Sequence, residues 1–147
     1  NLNNLADAYM NLGKPKKALE LLKQAEAIYL KSTRIEECFY GGMLSDFATV
    51  YVDLGDVKKG LEYRIRAVEI LARTLGEDHV HVGGHYAKLG KDYSAIGDEN
   101  RCIEYLQKAK KIYEKFFGVE HYLTLEIDSL LSESLGLQGD AKGAQIT

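Results

Sequence analysis

Four glycines stand at equal intervals in this chain. They are Gly13 in NLGKP, Gly55 in DLGDV, Gly97 in AIGDE and Gly139 in LQGDA, each 42 residues after the last. The same offset joins Tyr9, Tyr51 and Tyr93, and also Leu5, Phe47, Leu89 and Leu131. It joins the small residues Ala6, Ala48, Gly90 and Ser132, then Ala25, Ala67 and Ala109, then Ile28, Ile70 and Ile112. A fixed period of this size marks a stacked supersecondary unit, in which each copy buries an apolar face that it cannot bury alone.

Each copy reads as two helices. In the second, Leu44, Phe47, Ala48, Tyr51 and Val52 recur at three- and four-residue steps, which marks one helical face. Gly55 ends that helix, because glycine takes the left-handed conformation without a Cβ clash. Asp56 follows as an N-cap, with Asp98 and Asp140 in the same place. In the first copy Lys14 and Pro15 stand there, and proline suits a first helical turn. Leu61, Ile65, Val68, Leu71 and Leu75 mark the apolar side of the second helix. The pattern predicts seven or eight helices in antiparallel pairs and no strand. The doublets Gly41-Gly42 and Gly83-Gly84 repeat near the start of first helices and predict a close approach between neighbours.

Gly90-Lys91, in GGHYAKLGKDYSAIGD, invites comparison with a phosphate-binding loop. That motif needs a glycine five residues before its Gly-Lys and a hydroxyl after it. Here those places hold His85 and Asp92, and the columns put Gly90 inside a helix. His79, His81 and His85, beside Asp78, form the one cluster with metal-like spacing, but no HExxH is present. No metal, cofactor or catalytic residue is expected, and the chain reads as a non-enzyme. Cys102 lies in a small-residue core column with Ala18 and Gly60, whereas Cys38 lies near a linker. Two thiols without CxxC spacing suit a reducing, cytoplasmic setting. The formal charge of −3 argues against general nucleic-acid binding, and no apolar run has the length of a membrane span.

The charged columns have a structural reading. Glu62 precedes Arg66 by four residues and Glu104 precedes Lys108 by four, the favourable order for helical ion pairs. Lys31, Arg73 and Lys115 sit near the ends of second helices, where cations suit the helix dipole. Arg64 stands out, because it replaces a large apolar residue between Leu22 and Leu106.

The segments LNNLADAY, LSDFATVY and YAKLGKDY, followed by the small residues Ala18, Gly60 and Cys102, resemble the tetratricopeptide repeat (TPR) signature. Tryptophan and the closing proline are missing. The long period, and the linkers LGEDHVHV and FGVEHYLT with Gly76, His79, Gly118 and His121, resemble the kinesin light chain-like subtype. Val80 and Tyr122 replace that linker's proline, and the first linker, STRIEECF, lacks both its Gly and its His. The resemblance implies an all-α, right-handed superhelical solenoid of antiparallel helix pairs. It implies a single array, with repeats at about 1–37, 38–79 and 80–121 and a partial one at 122–147. The start at Asn1 reads as that of a piece of a longer protein.

By the same resemblance, the first helices line a concave groove that takes a peptide or protein partner, in a scaffold or adaptor role. The expected groove residues are Asn3, Asn4, Asp7 and Asn11, then Ser45, Asp46, Thr49 and Asp53, then Ala87, Lys88 and Lys91. The lysines form a basic end suited to an acidic part of a partner. The carboxylate clamp of chaperone-binding members is not matched, since the corresponding places hold Asn3, Asp7, Asp46, Gly84 and Lys88. Two other roles fit the sequence. One is an architectural segment stacked end to end or inside a larger complex. The other is a regulatory part of an enzyme whose catalytic domain lies elsewhere.

Overall fold

A computed structural model describes residues 2–31 and 37–146, with side chains for 2–30 and 37–139. The first five residues of the divergent first linker, 32–36, lie outside the described residues, as do the side chains of Lys31 and Asp140. The described residues form seven α-helices and no strand, an all-α helical repeat array. They are α1 (Leu2–Asn11), α2 (Pro15–Lys31), α3 (Glu37–Asp53), α4 (Val57–Leu75), α5 (Val80–Ala95), α6 (Glu99–Phe117) and α7 (Tyr122–Ile146). Contacts divide the chain into two units, Asn1–Leu75 and Gly76–Thr147.

In the first unit α1 packs on α2, α3 on α4, and α2 on α3. Its core joins Ala6, Ala18, Leu22, Ala25, Met43, Phe47, Val50 and Tyr51. Burial of a side chain such as Phe47 contributes about 2–3 kcal/mol. In the second unit α5 packs on α6 and α6 on α7, around Val82, Leu89, Cys102, Leu106, Ala109 and Ile127. The columns Phe47/Leu89/Leu131 and Ala67/Ala109 are buried as their period predicts. Leu5 departs from its column and is 46% exposed.

The glycine turns form as expected. Gly13, Gly55 and Gly97 have φ of 72°, 93° and 85°, which lets each second helix fold back on its first. Asp56 Oδ1 then accepts from the Lys59 N–H, and Asp98 Oδ1 from the Arg101 N–H, each at 3.2 Å. Both caps satisfy donors that the first helical turn leaves open.

The glycine doublets behave unequally. A Cβ on Gly41 would lie 2.9 Å from Leu71 Cγ, and one on Gly83 would lie 3.0 Å from Ile112 Cγ2. The first glycine of each doublet therefore lets a helix start approach the end of its own second helix. A Cβ on Gly42 would meet nothing within 4 Å, whereas one on Gly84 would lie 3.2 Å from the Tyr113 hydroxyl, so the second position is open only in the first doublet.

The expected Glu62–Arg66 and Glu104–Lys108 ion pairs are absent among the described residues. Arg66 lies over the Tyr63 ring at 5.9 Å and donates to Tyr40 Oη at 3.2 Å. Lys108 lies over the rings of Tyr105 and Tyr86, at 5.1 and 5.5 Å. An exposed ion pair is worth under about 1 kcal/mol, so a partly desolvated ring face competes with it.

The fourth turn does not form. α7 runs unbroken through Gly139 to Ile146, where the sequence predicts a turn and an N-cap at Asp140. Gly13, Gly55 and Gly97 each precede a second helix that packs back on the first. No second helix packs back on α7 among the described residues. Without that packing, an interior glycine costs a helix only about 1 kcal/mol.

Candidate partner-binding faces of the first helices

In the first unit, α1 leaves Asn4, Asp7 and Asn11 exposed, with Asn3 half-buried. On α3, Asp53 is exposed while Asp46 and Thr49 are half-buried. The carboxylates of Asp7 and Asp53 have no ion-pair partner among the described residues. This face is rich in carboxylates and amides, which suit the N–H groups and cations of an extended segment.

Ser45 departs from the expected groove. It is 2% exposed, and the reason is Arg64. That arginine reaches from α4 to the α3 backbone and is itself 3% exposed. Its Nη1 donates to Ser45 O at 3.0 Å and to Ser45 Oγ at 2.8 Å, and its Nη2 donates to Thr49 Oγ1 at 3.1 Å. Thr49 Oγ1 donates in turn to Ser45 O at 3.2 Å. A buried guanidinium persists only with its donors satisfied, and its planar fork suits several fixed acceptors. Ser45 and Thr49 therefore hold an internal network. The signal was the one charged residue in the Leu22/Leu106 column, but a column shows chemistry and not the direction in which a side chain reaches.

In the second unit, Lys88 and Lys91 are exposed on α5 and Ala87 is half-buried. Lys91 Nζ lies 3.9 Å from Glu126 Oε1 of α7, with both side chains more than half exposed. The basic end is thus partly offset by a carboxylate that the groove reading omits. Such a contact is worth well under about 1 kcal/mol and is easily exchanged.

Below this surface, Tyr105 of α6 stacks between two α5 rings. Its centroid is 5.9 Å from Tyr86 and 5.7 Å from Tyr93. Tyr63 of α4 stands likewise between Phe47 and Tyr51, at 5.1 and 5.4 Å. Cations close each stack, with Lys59 over Tyr51 at 4.8 Å and Arg101 over Tyr93 at 5.7 Å. Burial, then Glu77, Tyr105 and Asp78, push the Tyr86 hydroxyl above its ordinary titration range. Tyr86 lines a small cavity of about 150 Å³ with Glu77, Asp78, Lys108, Lys111 and Ile112, whose charges are mixed.

The histidines act on the backbone. His79 Nδ1 accepts from the His81 N–H at 3.1 Å, and His121 Nδ1 accepts from the Leu123 N–H at 3.2 Å. Each linker histidine therefore caps the helix that follows. Among the described residues no His, Cys, Asp and Glu group has the makings of a metal site. Gly90 lies inside α5, where a Cβ would be 3.0 Å from Leu106 Cγ and 3.1 Å from Cys102 O. Cys102 is buried, with Sγ 3.2 Å from Ser134 Oγ, and burial pushes its thiol up, which suits packing rather than nucleophilic attack.

Residues 2–31 match the tetratricopeptide repeat family profile. A Podosopora anserina protein, described as a kinesin light chain with nearly identical TPR-like repeats, superposes with a TM-score of 0.84. It shares 27% identity, over 97% of this chain and 68% of its own. Residues 2–31 thus carry a tetratricopeptide repeat, and the whole chain has the fold of a TPR array. BtubC (BKLC) from P. vanneervenii shows the same fold, with a TM-score of 0.82 at 20% identity, over 99% of this TPR chain and 57% of BtubC. MamA is a more distant likeness, with a TM-score of 0.59 at 20% identity, over 95% of this chain and 69% of its own. A comparison with curated protein sequences returns no match. TPR arrays are in general non-catalytic scaffolds for protein–protein interaction. No described helix of this one is long and apolar enough to cross a membrane.

Proposed function

We propose that this TPR chain is a protein–protein interaction module, in a scaffold or adaptor role, that holds a partner on the outward sides of its first helices. The observation that supports this reading most is the exposure of Asp7, Asn11 and Asp53 on those sides, with no ion pair to either carboxylate among the described residues. Ordinary packing leaves such groups to water, and an extended segment can replace that water with its own donors. The first unit's face suits a basic or amide-rich part of a partner. The second unit's Lys88 and Lys91 suit an acidic part, which competes with Glu126 for Lys91. A cytoplasmic location fits the unbridged thiols of Cys38 and Cys102.

The test places a photo-crosslinking side chain at Asp53, at Lys88 and at Lys115 on the outer side of α6. A shared partner captured through Asp53 or Lys88, and not through Lys115, supports the reading. Changing Asp7 and Asp53 together to Lys should then weaken that partner's binding tenfold or more. Capture through Lys115 alone would overturn it. Lys110 is unsuitable as the outer-side control, because it pairs with Asp128 at 2.8 Å and thereby ties α6 to α7.

A further inference from the structure

Phe39, Gly42, Asp46, Thr49 and Asp53 follow one another along α3 at steps of three and four, so they share one side of that helix. It is not a packing side. Met43, Phe47 and Val50 join the core with residues of α1 and α2, and Gly41 and Ala48 meet Leu71 and Gly60 of α4. α3 has helix pairs before and after it in the sequence, α1–α2 and α5–α6, so its open side is not that of a terminal repeat.

Two features of this side have no role in the fold. Phe39, in the first turn of α3, is 51% exposed. Gly42 is half-buried, yet a Cβ there would meet nothing within 4 Å. A helix interior is less stable with a glycine, and no neighbour here uses the space of the missing side chain. The result is a shallow recess one turn from an exposed ring. α5 has no such recess, because the Tyr113 hydroxyl occupies the space beside Gly84, and the flanking places hold His81 and Lys88. A single exposed apolar side chain is ordinary at a protein surface, but a ring beside a recess encloses an aliphatic group on two sides.

We propose that Phe39 and Gly42 form an anchor point for one aliphatic side chain of an extended partner segment, whose Lys or Arg lies at Asp53. This rests on the first-helix reading and names the partner's chemistry within it. Charge selects the occupant. Asp53 is exposed, with no ion pair among the described residues, and stands at the C-terminal end of α3, where the helix dipole also favours a cation. The step from residue 42 to residue 53 along the helix is about 17 Å, at about 1.5 Å per residue. An extended chain rises about 3.3 Å per residue, so its aliphatic and basic side chains stand about five residues apart.

The probe is a fluorescent octapeptide of serine and asparagine, with one leucine and one arginine spaced about five residues apart. It and its reversed sequence are titrated into the intact chain, and one of the two orders should bind saturably. Gly42→Leu, which fills the recess, should weaken binding about tenfold, the loss of one anchor contact, while the thermal midpoint does not fall. Phe39→Ala should weaken it similarly, and Phe39→Leu should restore most of it. On the Asp53→Lys chain, a glutamate in place of the peptide's arginine should recover binding. No saturation by either order at roughly millimolar peptide, or equal binding by the Gly42→Leu chain, would overturn the proposal. Normal binding by Gly42→Leu with loss in Asp53→Lys would remove the anchor and leave the first-helix reading standing. Binding indifferent to both changes would count against the two together.

Discussion

Arg64 Nη1 donates to Ser45 Oγ at 2.8 Å, and this bond crosses from α4 to α3 inside the first unit. The place is one that Leu22 and Leu106 fill in the neighbouring repeats, at 0% and 1% exposure. Arg64→Ala removes both the packing of the stem and the donors to Ser45 and Thr49, so it should cost about 3 kcal/mol. Arg64→Lys should recover little of this, because an ammonium cannot reproduce the planar fork. Thermal unfolding of the two variants checks it, and a Lys variant as stable as wild type would show that charge alone suffices.

The glycine doublets offer a test within two adjacent residues. Gly42→Ala adds a methyl into open space in a helix and should stabilise by about 0.5–1 kcal/mol. Gly41→Ala gains the same helical preference but drives a Cβ into Leu71, and should destabilise by about 1 kcal/mol net. Denaturant midpoints of opposite sign are the expected result.

The cap at α6 should show in acid. Arg101 hydrogen bonds, from side chain and backbone, hold the Asp98 carboxyl below the usual carboxylate range. A depressed carboxylate stabilises the fold above its unfolded value and loses that contribution as pH falls through its folded value. Asp98→Ala should cost about 1 kcal/mol near neutrality. The gap between wild type and variant should close as the solution is acidified below the folded value, followed by thermal midpoint against pH.

His79 and His121 cap through a ring nitrogen that accepts. His79→Ala should therefore cost about 1 kcal/mol. His79→Asn, whose amide oxygen can accept in the same place, should recover most of it. Urea unfolding separates the two, and equal losses would assign His79 a packing role instead.

Much of the fold can be read in the sequence because the period writes it several times over. Tyr51 and Tyr93, or Gly55 and Gly97, occupy equivalent places, and one structural argument serves both. The candidate faces are less legible. Ser45 looks like Asn3 and Ala87 by column, yet a guanidinium from another helix seals it in. Glu62 and Arg66 have ideal spacing for an ion pair, yet the guanidinium donates to Tyr40 of α3 and lies over the Tyr63 ring. Gly139 matches three turn-forming glycines, yet a glycine ends a helix only where a returning helix makes the turn worthwhile. For Ser45 and for Arg66 a deciding partner, Arg64 or Tyr40, lies on another helix, beyond the reach of spacing along one.

The stacked tyrosines have a practical consequence for anyone following this protein in solution. The chain has ten tyrosines and no tryptophan. Tyr63 is sandwiched in the first unit and Tyr105 in the second, each between two rings. A single indole put in place of one or the other would be the sole such fluorophore in the molecule. Its emission would report the opening of that unit alone, so the two halves can be timed independently in one polypeptide.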